Sequence, residues 1–168
     1  MNSNSKYVIM FVCTGNTCRS PMAEGALGLL LEKERAGRFE VISSGTSATI
    51  GFPATEYAIE ASKLWKSDIS KHESQTLTAE LIDKADLILA MTPSHYRQLM
   101  TINPHSQNKY FLLKNFPDPD PFGAAVDDPI GQPLDRYKDT FLEIAEEIGR
   151  ISPDIVKRID EIVDAPSK

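Results

Sequence analysis

Residues 6–21 read KYVIMFVCTGNTCRSP, and three kinds of structure follow one another within them. Tyr7, Val8, Ile9, Met10, Phe11 and Val12 form an unbroken apolar run, which suits a parallel strand covered on both faces. Between Thr14 and Thr17 stand Gly15 and Asn16, two residues that tolerate unusual backbone angles. Ser20-Pro21 then opens a helix whose apolar face is expected from Met22, Ala26, Leu29 and Leu30, running to about Arg35 and stopped by Gly37.

The alternation continues outward from there. Residues 39–43, 85–91 (ADLILAM) and 109–113 read as further strands. Helices are expected over 53–65, with Tyr57, Ala58, Ala61 and Leu64 inward, and over 78–84 and 93–100. Another starts at about Leu134, where Tyr137, Phe141, Ile144, Ala145 and Ile148 recur at helical spacing. Ser152-Pro153 is expected to break or restart it before an amphipathic segment over 155–163. Residues 114–133, rich in Asp, Pro and Gly, read as loop. Strands alternating with helices predict right-handed βαβ units, hence an α/β fold: three layers, α/β/α, around a four-stranded parallel sheet. No linker or repeat interrupts the chain, so one domain over residues 1–168 is expected, with its core at about 6–150 and a C-terminal helical extension at about 152–164.

Length and composition agree with this. The chain has 168 residues with 41% hydrophobic and 25% charged, enough to bury a core without a disulfide or metal staple. A net charge of −6 argues against non-specific nucleic-acid binding and against an anionic membrane surface. The first residues, MNSNSKYVIMFVC, lack the long apolar core of a signal peptide, so the protein is expected in the cytoplasm with Cys13 and Cys18 reduced.

In parallel sheets of this kind the site lies beyond the carboxyl ends of the strands. The loop after the first strand holds both cysteines, and five residues separate Cys13 from Arg19. A loop of that length can wrap one phosphate with the N–H groups of Thr14, Gly15, Asn16, Thr17 and Cys18, helped by the helix N-terminus. Arg19 can clamp the phosphate oxygens bidentately. The same field is expected to lower the pKa of Cys13 and make it a thiolate nucleophile, to whose sulfur Ser20 can donate a hydrogen bond. The bland alternative is a buried thiol beside a helix cap. The strand before, Gly-Asn within and Ser-Pro after favour the phosphate loop. No Gly-Lys-Ser/Thr closes it as in a nucleotide loop, and the cysteines are too far apart for a thioredoxin motif. With no histidine nearby they also make a poor zinc site, and no metal or organic cofactor is implied.

VCTGNTCRSPMAEG, residues 12–25, resembles the signature of the low-molecular-weight protein tyrosine phosphatase family, and the order of elements matches that family over roughly residues 6–150. The resemblance implies a Cys13 nucleophile, an Arg19 phosphate clamp and a phosphocysteine intermediate. It also implies a polar network that holds the loop through Asn16, with Ser43 and His72 where its other members lie; ordinary capping or surface polarity is the alternative for those two. The family's general acid comes from a late Asp-Pro motif, and the chain offers Asp118, Asp120 and Asp128. Spacing favours Asp128, because Tyr137 follows nine residues later. The departure is Ile130, where the family carries an aromatic residue against the substrate ring; Phe122 or another ring would have to take that place.

Thr17 stands where tyrosine-acting members commonly carry a bulky aliphatic residue, and CTGNTCRSP is similar to the protein arginine phosphatase branch. The resemblance therefore implies hydrolysis of phosphoarginine on a phosphorylated protein substrate, with phosphotyrosine as the alternative. A thiol-coupled arsenate reductase shares this fold but needs downstream cysteines, and none follows Cys18. A non-catalytic phosphate-binding module is disfavoured by the presence of nucleophile, clamp and acid together. Cys18 reads either as a redox partner for Cys13 or as a small buried residue at the helix start. The chain is expected to act as a monomer or weak homodimer.

Overall fold

Every residue of the first strand, β1 (Tyr7–Cys13), is buried. The structure, a computed structural model, describes residues 6–163. After β1 come α1 (Arg19–Arg35), β2 (Phe39–Gly45), α2 (Glu56–Ser62), α3 (Ala79–Lys84), β3 (Leu87–Ala90), α4 (Pro93–Ile102), β4 (Tyr110–Leu112) and α5 (Leu134–Val163). Short 3-10 turns occupy Lys63–Trp65 and Pro104–Lys109. The strands form one parallel sheet in the order β2-β1-β3-β4.

Alternate side chains of β1 enter different cores, as the two-residue period of a strand requires. Tyr7, Ile9, Phe11 and Cys13 join the apolar layer of α1, α2 and α5. Val8, Met10 and Val12 join the opposite layer, with Ile82 of α3 and with Tyr96 and Leu99 of α4. The result is the expected three-layer α/β/α arrangement. The chain leaves β1 toward β2 on one side and returns to β3 on the other. This reversal opens a crevice beyond the carboxyl end of β1, where such sheets bind ligands. Among the described residues no helix is long and apolar enough to cross a membrane.

Several expectations are corrected. The last helix does not break at Ser152-Pro153: α5 is continuous with Pro153 inside it. Proline lacks the N–H that would bond the carbonyl four residues back. Ser152 Oγ donates to that carbonyl, Gly149 O, at 3.1 Å, so the orphaned acceptor is satisfied and the helix runs on. The helix expected over 53–65 is shorter, because Thr55 caps it by accepting from Ala58 N at 3.3 Å and its last turn tightens to 3-10 geometry. Tyr57 and Leu64 consequently face outward, at 47% and 48% exposure. In α1 the buried stripe is Met22, Ala23, Ala26, Leu27 and Leu31; Leu29 and Leu30 are half-buried at its margin.

Candidate active site

β1 ends at Cys13 and α1 begins at Arg19, so the loop between them is short and fixed at both ends. Its carbonyls are held outward. Thr46 N donates to Cys13 O at 2.9 Å, Ser47 N to Thr14 O at 3.0 Å, His72 Nε2 to Asn16 O at 2.7 Å and Thr55 N to Thr17 O at 2.9 Å. With those carbonyls engaged outside the ring, the N–H groups of Asn16 and Ser20 turn to the Cys13 sulfur. Asn16, with φ at 56°, takes the left-handed conformation that the curl needs. Gly45, paired with Cys13, is required for another reason: a Cβ there would lie 2.4 Å from Thr14 O and 3.0 Å from Asn16 N. The first turn of α1 carries no acidic residue and its N-cap, Cys18, makes no side-chain cap, so the positive end of the helix stays uncompensated.

A buried polar chain supports this ring. Asn16 Nδ2 donates to Ser20 Oγ at 2.8 Å and to Ser43 Oγ at 2.9 Å, while its Oδ1 accepts from Gln75 N at 2.8 Å. Ser20 Oγ lies 2.9 Å from Cys13 Sγ. Because it already accepts from Asn16, Ser20 has its hydroxyl hydrogen free for the sulfur. Ser43 Oγ donates to Glu24, and His72 Nδ1 lies 3.8 Å from the same carboxylate. Burial pushes the Glu24 carboxyl up, against the pull of Ser43 and His72. Asn16, Ser43 and His72 thus lie in one hydrogen-bonded chain beside the loop. Glu24 was missed, although its place one helical turn beyond Ser20 is a readable signal.

Arg19 is almost fully buried beside the loop, at 4% exposure. Its Nη1 donates to Val126 O at 3.0 Å, and its Nη2 to Asp128 Oδ2 at 3.0 Å and to Thr14 Oγ1 at 3.4 Å. Its Nε is buried and has no partner among the described residues. Asp128 is held over the cavity because Val126 N bonds Met91 O, just past β3, at 2.8 Å. Asp118 and Asp120 are exposed and accept hydrogen bonds within their own loop. A cavity of about 180 Å³ opens on Cys13, Arg19, Thr17, Asp128 and Ile130, and among the described residues no aromatic ring lines it. Phe122 is 82% exposed and does not take the place of the aromatic that Ile130 replaces.

Two further side chains reach the loop unannounced. His95, from α4, is buried with its Nε2 2.8 Å from Thr14 Oγ1. Burial, reinforced by the Arg19 charge, pushes its pKa down to about 4, so the ring is neutral. Tyr137, from α5, places its hydroxyl 3.6 Å from Cys18 Sγ. Burial and the Cys18 contact push that phenol up to about 12. Both cysteines are free thiols, and Cys18 also lies 3.5 Å from Thr55 Oγ1.

The electrostatics correct one expectation. The loop's field alone predicts a depressed Cys13 pKa, but burial pushes the thiol up. The Ser20 hydroxyl, the Ser20 and Asn16 N–H groups and the Arg19 charge oppose this without outweighing it. Asp128 pairs with Arg19 at 3.0 Å, so part of that positive charge is answered before it reaches the sulfur.

A thiol that accepts from two backbone N–H groups, with a guanidinium beside it and a carboxylate across the cavity, is an arrangement suited to cysteine-dependent phosphoryl transfer. The chain belongs to the low molecular weight phosphotyrosine protein phosphatase family, whose model matches residues 8–164. It is 38% identical over 152 residues to the protein-arginine-phosphatase of Bacillus subtilis, covering 89% of this chain and 97% of that one. It is 33% identical over 147 residues to the probable low molecular weight protein-tyrosine-phosphatase EpsP of Ralstonia solanacearum, covering 88% and 94%. Among solved structures it resembles the YwlE arginine phosphatase, in a cysteine-to-serine mutant with a phosphorylated active-site serine. There the TM-score is 0.82, the identity 36% and the coverage 90% of this chain and 99% of that one.

Proposed function

We propose that this protein removes phosphate from phosphoarginine side chains of proteins through a phosphocysteine intermediate. The observation that carries the choice of substrate is the cavity wall: Thr17 and Ile130 line it, and among the described residues no aromatic ring does. A phosphotyrosine ring would find no stacking partner there. The similarity to the Bacillus subtilis protein-arginine-phosphatase supports the same reading.

In the first step Cys13 gives its proton to solvent and attacks phosphorus as the thiolate, the phosphorus–nitrogen bond breaks, and its electron pair leaves with the guanidine nitrogen. Asp128, as general acid, gives that nitrogen a proton. Arg19 and the loop N–H groups of Thr14, Gly15, Asn16, Thr17 and Cys18 hold the equatorial oxygens as charge shifts among them. The arriving phosphoryl group competes with Asp128 for Arg19 Nη2, and the freed carboxylate takes up a proton from solvent before it acts as the acid. In the second step the Asp128 carboxylate takes a proton from water, the water oxygen attacks phosphorus, and the sulfur–phosphorus bond breaks to return the thiolate. Ser20 steadies that thiolate both as nucleophile and as leaving group. Ser43 and His72 act on the chemistry only through Asn16.

This reading takes the chain as one cytoplasmic catalytic domain, a monomer or weak homodimer, whose site is complete within one copy. In support, one apolar cluster runs from Tyr7 of β1 to Ile159 of α5. Phosphotyrosine is the second reading. It is favoured by the similarity to the probable low molecular weight protein-tyrosine-phosphatase EpsP of Ralstonia solanacearum. Exchanging Thr17 for isoleucine separates the two. The arginine reading expects Thr17→Ile to lower turnover of phosphoarginine and raise that of phosphotyrosine. Equal effects on both substrates would refute it.

A further inference from the structure

We propose that His95 is a positioning residue for the phosphate loop: its imidazole donates from Nε2 to Thr14 Oγ1 and thereby aims the Thr14 hydroxyl hydrogen into the cavity, toward a phosphoryl oxygen. The inference rests on the phosphatase reading and assigns that site one further donor, together with the residue that orients it.

His95 sits in the first turn of α4, where its backbone N–H donates to the N-cap, Thr92 Oγ1, at 3.3 Å. Its ring is 4% exposed and bridges two hydroxyls. Nδ1 lies 3.0 Å from Thr92 Oγ1, and Nε2 lies 2.8 Å from Thr14 Oγ1. The ring is neutral near neutral pH, since burial and Arg19 hold its pKa down to about 4. A neutral imidazole carries one N–H, so the two contacts run in opposite directions and the tautomer decides which.

The tautomers differ in what they leave over. With the proton on Nδ1, Thr92 Oγ1 accepts twice, from that N–H and from the backbone, and its own hydrogen has no acceptor among the described residues. Thr14 then spends its hydrogen on Nε2 and turns bare lone pairs toward an anion site. With the proton on Nε2, Thr92 donates to Nδ1 and every group is matched. Thr14 Oγ1 accepts from Nε2 at 2.8 Å and from Arg19 Nη2 at 3.4 Å, which fills both lone pairs. Its hydrogen is left for the cavity that Thr14 lines. An anion site is served by donors fixed in advance, and only this tautomer supplies one here.

The tautomer is read directly from the side-chain nitrogen resonances of the 15N-histidine-labelled protein, with no ligand present. The expected result is a neutral ring protonated at Nε2. Affinity for inorganic phosphate, titrated by NMR, supplies the second arm. The amide nitrogen of Asn falls near the place of Nδ1 and that of Gln near Nε2. His95→Asn is therefore expected to weaken phosphate binding roughly 10- to 100-fold, the worth of one hydrogen bond to a charged group. His95→Gln is expected to recover most of that loss. Thr14→Val should match His95→Asn, and the double variant should lose no more than either single one. A ring protonated at Nδ1, additive losses in the double variant, or a Gln variant as weak as the Asn variant would each overturn the proposal. A wild-type protein that binds no phosphate at all would overturn the phosphatase reading instead, and the ligand-free tautomer tells these two failures apart.

Discussion

Asp128→Asn separates the two things Asp128 does. The substitution keeps the shape of the side chain and removes its proton. In the resting site Asp128 Oδ2 accepts from Arg19 Nη2 at 3.0 Å. That carboxylate is 38% exposed, so the pair is worth only about 0.5–1 kcal/mol. The amide oxygen of Asn can still accept from Arg19. Fold stability and phosphate affinity should therefore change by no more than a few-fold. Loss of the proton donor is a different matter: general acid catalysis contributes roughly 10²- to 10⁴-fold, or about 3–5 kcal/mol of barrier. The assay is kcat across phosphorylated compounds whose leaving groups need a proton to different degrees, from p-nitrophenol through phenol to the guanidine of arginine. The deficit should be small for p-nitrophenyl phosphate and grow steadily as the leaving group worsens. Asp120→Asn is the control, because Asp120 is exposed and its carboxylate is occupied by Phe122 N. A deficit that is the same for every leaving group, or an Asp120 variant that loses more than the Asp128 variant, would refute the assignment of the acid.

Three other outcomes are expected. Ser20→Ala removes a hydrogen bond that favours the thiolate, worth about 1.5–3 kcal/mol, so the Cys13 pKa should rise further. Alkylation of Cys13 by iodoacetamide near neutral pH should then slow roughly tenfold or more, and an unchanged rate would count against Ser20 as the donor. Gly45→Ala places a Cβ 2.4 Å from the backbone oxygen of Thr14, so urea denaturation should show a loss of about 1–3 kcal/mol together with reduced phosphate affinity. The buried neutral His95 should make stability fall with acid. Its pKa drops from 6.5 in the unfolded chain to about 4 in the fold, so the stability is complete above 6.5 and is lost as pH falls toward 4. The loss is on the order of 3 kcal/mol, read as the difference between wild type and His95→Gln in urea denaturation at a series of pH values.

The loop was legible because its chemistry is contiguous: thiol, curl, guanidinium and helix start stand within nine residues, from Cys13 to Pro21. Spacing to Tyr137 singles out Asp128, and the fold places that carboxylate beside Arg19 while Asp118 and Asp120 stay exposed in their own loop. Residues that arrive through tertiary packing were harder to see. Glu24 reaches the site one turn along α1, and its carboxylate gains meaning only when β2 brings Ser43 beside it. His95 reaches it because α4 starts where β3 ends, next to β1, an adjacency that depends on strand order. Pro153 misled because the rule about proline concerns an unsatisfied carbonyl, and here the neighbouring Ser152 satisfies it. Cys13 misled in the same way: the loop's field is written in the local sequence, whereas the burial that opposes it comes from the whole fold.

The central claim is that a thiol at residue 13 dephosphorylates arginine. The most direct measurement is phosphate release from phosphoarginine and phosphotyrosine peptides of matched sequence, with Cys13→Ser as the blank. The account predicts a strong preference for the phosphoarginine peptide and no turnover by the Cys13→Ser variant, which should still bind phosphate. A preference for the phosphotyrosine peptide, or turnover that survives in the variant, would contradict it.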